Sequence, residues 1–83
     1  MIPASERILR ARKLIQKARD LPVPPGIGRS DFTYISQVKT ILQQARDLVK
    51  FIPYTPTASP ELKAEVCKIF AEADLADHEI LHG

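Results

Sequence analysis

The sequence pattern best suited to chemistry is His78-Glu79-Ile80-Leu81-His82, which has the form H-E-x-x-H. On a helix this spacing puts both imidazoles on one face, where they could bind zinc. Glu79 could then act as general base toward a metal-bound water. The pattern makes His78 and His82 the candidate metal ligands of the chain.

These five residues resemble the signature of zinc metalloproteases, but no other part of the chain does. Asp77 puts a charge directly before the first histidine, where that signature usually has an uncharged residue. The sequence also predicts no strand that could hold an extended peptide substrate. We therefore expect a protein that is not an enzyme and has no cofactor. Metal binding is the alternative to a polar helix end, where histidines are favoured by the helix dipole.

Basic residues are concentrated near the start of the chain. Between Ser5 and Leu21 the net charge is +4, whereas between Pro60 and Gly83 it is −4. One interpretation is a basic face that binds nucleic acid or another acidic surface. We prefer attraction between neighbouring helices, because acids elsewhere on so small a domain weaken the long-range field. The basic-face hypothesis rests on Arg7, Arg10, Arg12, Lys13, Lys17 and Arg19.

Three aromatic residues, Tyr34, Phe51 and Tyr54, lie off the main apolar pattern. Partly exposed aromatic side chains are typical anchors of protein-protein interfaces. We therefore expect these three residues to contact a partner protein. The alternative is that they close the ends of the domain.

Thr55 and Ser59 each precede a proline and are candidate phosphorylation sites. A phosphate on Ser59 would lie at the positive end of the following helix and stabilise it. The preferred interpretation of Ser59 is a simple helix N-cap.

A repeated motif indicates how the chain is organised. Residues Leu14-Ile15-Gln16-Lys17-Ala18-Arg19-Asp20-Leu21 match Ile41-Leu42-Gln43-Gln44-Ala45-Arg46-Asp47-Leu48 at an offset of 27. A weaker copy follows at Ile69-Phe70-Ala71-Glu72-Ala73-Asp74-Leu75. Each copy ends a stretch of helical spacing, so the repeat unit is one helix.

We predict three helices, over residues 5–21, 31–52 and 60–80, within a single domain covering residues 1–83. Ser5, Asp31 and Ser59 are the expected N-caps, and prolines end the first two helices. The predicted fold is all-α: an antiparallel up-down-up three-helix bundle with two proline-containing loops. The apolar stripes comprise Ile8, Ala11, Leu14, Ile15, Ala18 and Leu21; Phe32, Ile35, Val38, Ile41, Leu42, Ala45, Leu48, Val49 and Ile52; and Leu62, Val66, Ile69, Phe70, Ala73, Leu75 or Ala76, and Ile80.

Size and composition suggest the setting of this domain. The single cysteine, Cys67, cannot form an internal disulfide, which favours a reducing compartment, the cytoplasm or nucleus; we expect it in the core or at its boundary. No apolar run approaches the roughly 20 residues needed to cross a membrane, so we expect no membrane contact. The preferred function is a non-catalytic protein-protein docking module, monomeric or weakly self-associating, within a larger protein or assembly. Nucleic acid is the less favoured partner.

Overall fold

The computed structural model describes residues 2–26 and 28–82, and the regular elements in those ranges are all helical. Helix α1 spans Ala4–Asp20, α2 spans Phe32–Val49 and α3 spans Pro60–Leu81. Single 3-10 turns at Gly28–Ser30 and Ile52–Tyr54 lie in the two connections. All three helices pack against one another, which confirms the predicted all-α three-helix bundle.

The order of contacts along the helices gives the topology. Between α1 and α3, residue numbers increase in the same direction along both helices, because Arg12 contacts Glu72 and Arg19 contacts Glu79. Contacts between α2 and α3 run in opposite directions, with Lys39 on Asp77 and Arg46 on Asp74. Therefore α1 and α3 are parallel, α2 is antiparallel to both, and the bundle runs up-down-up.

Prolines end the first two helices slightly earlier than predicted. Leu21 adopts an extended conformation (φ −60°, ψ 131°) because Pro22 excludes it from the helical region. Helix α2 ends at Val49, three residues before the predicted end, and Ile52 lies in the following 3-10 turn. Pro53 has no N–H to donate, so the α-helical pattern cannot continue through it.

Two of the three predicted N-caps are confirmed. The side chain of Asp31 accepts a hydrogen bond from the Tyr34 N–H at 3.0 Å, and that of Ser59 accepts one from the Leu62 N–H at 3.1 Å. The prediction for Ser5 is wrong because α1 begins one residue earlier, which puts Ser5 inside the first turn. Pro3 is the N-cap and makes no side-chain capping bond.

The core runs along the bundle axis and follows the predicted stripes closely. The three alanines of the repeat, Ala18, Ala45 and Ala73, are completely buried, as close helix packing requires. Ala76 is buried whereas Leu75 is exposed, which decides between the two candidates on α3. The other buried core residues of the three helices are Ile8, Ala11, Ile15, Tyr34, Val38, Leu42, Val49, Val66 and Ile69.

Three predictions of burial are wrong. Phe32, expected inside, is 87% exposed, and Tyr34, expected outside, is 4% exposed. Three-residue steps from Val38 back to Phe32 rotate the side chain about 120° away from the core, whereas the four-residue step to Tyr34 rotates it only about 40°. Cys67, expected in the core or at its boundary, is exposed on α3.

The bundle is elongated, with extents of 49 × 24 × 16 Å, because the three helices lie along one long axis. Within the described residues, no helix is both long enough and apolar enough to cross a membrane.

Candidate docking groove

The interface between α1 and α3 carries ion pairs. Arg12 donates a hydrogen bond to Glu65, and its Nε lies 3.6 Å from Glu72 Oε2. Further along, Arg19 Nη2 lies 3.0 Å from Glu79 Oε1. The Arg12 hydrogen bond is the largest cause of a lowered pKa at Glu65. Basic residues of α1 are therefore paired with acids of α3.

The interface between α2 and α3 is built in the same way. Arg46 Nη2 lies 2.7 Å from Asp74 Oδ1, and Lys39 Nζ lies 3.6 Å from Asp77 Oδ2. Acids thus flank the core-facing side of α3 on both edges, and each edge contacts cations of a neighbouring helix. These contacts bring opposite charges of neighbouring helices together, as the preferred interpretation of the uneven charge expects.

The structure divides the six residues of the predicted basic face. Arg12 and Arg19 contact α3, and Arg10 Nε pairs with Glu6 Oε1 of its own helix at 3.2 Å. Arg7 donates hydrogen bonds to the backbone oxygens of Ile2 and Leu48, each at 3.4 Å. Lys13 and Lys17 are exposed and form none of the ion pairs found among the described residues.

The third interface, between α1 and α2, has a different character. Its outer surface is a groove whose apolar floor consists of Leu14, Leu21, Ile41 and Leu48, here called the α1–α2 groove. All four side chains are half-buried and pack against the core from outside. None of the ion pairs among the described side chains joins α1 to α2.

Four surface concavities lie along this side of the bundle. Two of them, each of about 380 Å³, share Leu14 and Leu48. A third, of about 330 Å³, is lined by Leu21 and Ile41. A fourth, of about 360 Å³, lies at the end of the bundle and is lined by residues including Phe51. Residues of α3 line none of these four concavities.

The two rims of the α1–α2 groove differ in charge. On α1 the rim is basic and consists of Arg10, Lys13 and Lys17. On α2 the rim is largely uncharged and consists of Ser36, Gln37, Thr40 and Gln44. Asp47 is the acid on this rim; hydrogen bonds from Gln43 and then Lys50 lower its pKa. The groove therefore offers excess positive charge on one side of an apolar floor.

The repeated motif lines this groove. Leu14 and Ile41 are equivalent positions of the repeat, as are Leu21 and Leu48. Because α1 and α2 are antiparallel, Leu14 lies beside Leu48 and Leu21 beside Ile41. The floor therefore has approximate two-fold symmetry, which the rims break by their difference in charge.

The three predicted aromatic anchors do not form one surface. Tyr34 is buried in the core, so the expectation that it is exposed is wrong. Phe51 and Tyr54 are 66% and 82% exposed and lie near the end of α2. Phe51 lines the concavity at the end of the groove, and Lys50 Nζ lies 5.1 Å from the centre of its ring. Sequence reasoning missed the exposed Phe32 and the groove floor.

The H-E-x-x-H residues lie at the end of α3. The rings of His78 and His82 are 6.0 Å apart, and His82 Nε2 lies 3.8 Å from Asp77 Oδ1. Glu79, the expected general base, pairs with Arg19 instead. Among the described residues, no group of three or more histidine, cysteine, aspartate or glutamate side chains is arranged to hold a metal ion.

The two candidate phosphorylation sites are both held locally. The Ser59 side chain serves as the N-cap of α3. The Thr55 hydroxyl donates a hydrogen bond to the Ile52 backbone oxygen at 2.8 Å. Modification of either residue stays a prediction.

We compared the chain with protein-family models, curated proteins and solved structures, and found no match in any of the three.

Proposed function

We propose that this domain is a non-catalytic docking module that binds another protein through the α1–α2 groove. The observation that carries the proposal is the apolar floor, because four large aliphatic side chains are only half-buried along one side of the bundle. Covering such a floor removes apolar surface from water, which is the main favourable term in most protein association.

The contrast with α3 supports this choice of surface. Charged pairs line both edges of α3, so its neighbours already satisfy much of its polar surface. In the α1–α2 groove, the exposed cations Lys13 and Lys17 lie beside aliphatic floor residues. An apolar centre with a polar rim is the usual anatomy of a protein-protein interface.

Phe51 extends this surface at one end. Its ring is 66% exposed and lies beside the start of α1. Exposed aromatic side chains beside an apolar groove are common anchors of binding. The proposed docking surface thus includes one of the three aromatics expected from sequence.

The test is a comparison of proteins retained from a native extract by three immobilised chains: wild type, Leu48→Gln and Leu75→Gln. Leu48 lies in the floor, whereas Leu75 is a 54% exposed leucine of α3 outside the groove and serves as the matched control. We expect proteins retained by wild type and Leu75→Gln to be lost from Leu48→Gln. Circular dichroism confirms that each variant is folded. Identical retention by all three chains would reject the proposal.

A further inference from the structure

We infer that the occupant of the α1–α2 groove is an acidic amphipathic helix of a partner protein. This inference rests on the proposed docking function and adds the chemistry of the partner. Three properties of the groove carry it: the spacing of the floor residues, the charge of the rims and the aliphatic character of the floor.

The spacing of the floor matches a helix. Leu14 and Leu21 are seven residues apart on α1, and Ile41 and Leu48 are seven residues apart on α2. Seven residues are about two helical turns, or about 10.5 Å along the axis. A helix with apolar residues at heptad spacing presents side chains at the same interval. Seated between α1 and α2, it would complete a four-helix arrangement.

The rim charges favour acids on the partner. Lys13, Lys17 and Arg10 border the floor on the α1 side, and the first two form no ion pair among the described residues. The α2 rim carries Gln37, Thr40 and Gln44, which offer hydrogen bonds but no charge, and one acid, Asp47, which pairs with Lys50. The complementary helix therefore carries glutamate or aspartate on the flank that faces α1 and uncharged polar residues on the flank that faces α2.

The floor also distinguishes this partner from nucleic acid. Single-stranded nucleic acid stacks its bases on aromatic side chains, whereas the groove floor is built from leucine and isoleucine. Two of the arginines of α1, Arg12 and Arg19, are already paired with acids of α3. An apolar helix face gains from contact with aliphatic side chains in a way that a phosphate backbone does not.

The test uses two synthetic helices of about three heptads, with leucine at the apolar heptad positions. In one the residues of a single flank are glutamate, in the other they are lysine, and the second flank is uncharged and polar in both. Binding to the full 83-residue chain is measured by fluorescence anisotropy at about 0.15 M salt, with NMR shifts to locate the contact. We expect the glutamate helix to bind about tenfold or more tightly than the lysine helix. Its shifts should centre on Leu14, Leu21, Ile41 and Leu48.

Charge reversal on the domain supplies the decisive comparison. The Lys13→Glu, Lys17→Glu double variant should lose the preference for the glutamate helix or invert it. Lys63→Glu and Lys68→Glu together change the same amount of charge on α3, outside the groove, and should leave the preference intact. Both lysines of the groove are exposed, so folding is not at risk.

Several results would overturn the inference. These are equal binding of the two helices, shifts centred on α3, and loss of the glutamate preference in the α3 double variant. Displacement of the glutamate helix by short duplex or single-stranded DNA at the same salt would favour nucleic acid instead. If neither helix binds while Leu48→Gln still abolishes retention of extract proteins, docking stands and the helical partner is rejected.

Discussion

The outer surfaces of the helix interfaces differ in chemistry: ion pairs lie along both edges of α3, whereas aliphatic side chains form the floor of the α1–α2 groove. Along α3, charged side chains such as Arg46 and Asp74 reach across the interface and meet. Along the groove, aliphatic side chains meet at the floor, and no ion pair among the described side chains joins α1 to α2. Ion pairs between helices therefore lie along two sides of the bundle, and none of those among the described side chains lies along the third.

This difference also explains the uneven charge along the chain. The basic first helix and the acidic third helix have net charges of opposite sign in sequence. Much of that opposition is internal, because Arg12 and Arg19 contact acids of α3. The positive charge left over belongs to the α1 rim, where Lys13 and Lys17 lie.

The largest expected effect is the difference in stability loss between truncating a core side chain and truncating a groove-floor side chain. Ile69 is completely buried, so Ile69→Ala should lower the free energy of unfolding by about 2–5 kcal/mol. Leu48 is half-buried, and Leu48→Ala should cost only about 1 kcal/mol because less apolar surface returns to water. Urea unfolding followed by circular dichroism measures both. Equal losses would mean that the floor belongs to the core and is not a free surface.

Helical periodicity was sufficient to predict the fold. Apolar residues at three- and four-residue steps, bounded by prolines and by Asp31 and Ser59, specify three helices and their connections. Burial is wrongly predicted where the apolar pattern does not distinguish two neighbouring side chains of similar type. At the start of α2, Phe32 and Tyr34 are both aromatic, and only the rotation relative to Val38 decides which one is buried.

The groove was harder to predict because half-burial depends on which helices are neighbours. Leu14 and Leu48 belong to the same apolar stripes as fully buried residues, so the pattern alone assigned them to the core. One signal was present in the sequence: the repeat places Leu14 and Leu21 at positions equivalent to Ile41 and Leu48. That signal predicts a groove only once α1 and α2 are known to be antiparallel, because this packing places Leu14 beside Leu48 and Leu21 beside Ile41.

A smaller effect is expected when charge is reversed on each kind of surface. Arg46→Glu puts a carboxylate beside Asp74 and should lower the free energy of unfolding by about 1 kcal/mol. Lys17→Glu, on the groove rim, should change it by less than about 0.5 kcal/mol. Adding Asp74→Arg to Arg46→Glu should restore part of the loss. If Lys17→Glu is as destabilising as Arg46→Glu, the rim is not free of stabilising ion pairs.

The smallest expected effect is the loss of folding stability at low pH that comes from the α1–α3 interface. The Arg12 hydrogen bond holds the pKa of Glu65 below its ordinary value of 4.5 in the folded chain. The unfolded chain therefore binds more protons in this range, and stability increases with pH. The contribution of Glu65 is present above about pH 4.5 and is lost as the pH falls through the lower pKa of the folded state. Urea unfolding over this pH range measures it.

Two variants test whether this acid dependence comes from the contact between α1 and α3. Glu65→Gln removes the titrating group, and Arg12→Gln removes the hydrogen bond that is the largest cause of its shift. Both should make the decline of stability in acid shallower than in wild type. Lys17 forms no ion pair with this interface among the described residues, so Lys17→Glu should leave the contribution of Glu65 to stability unchanged. An unchanged decline in both glutamine variants would show that the contact with Arg12 does not stabilise the folded chain. The contrast between a charge-paired α3 edge and an unpaired groove would then no longer hold.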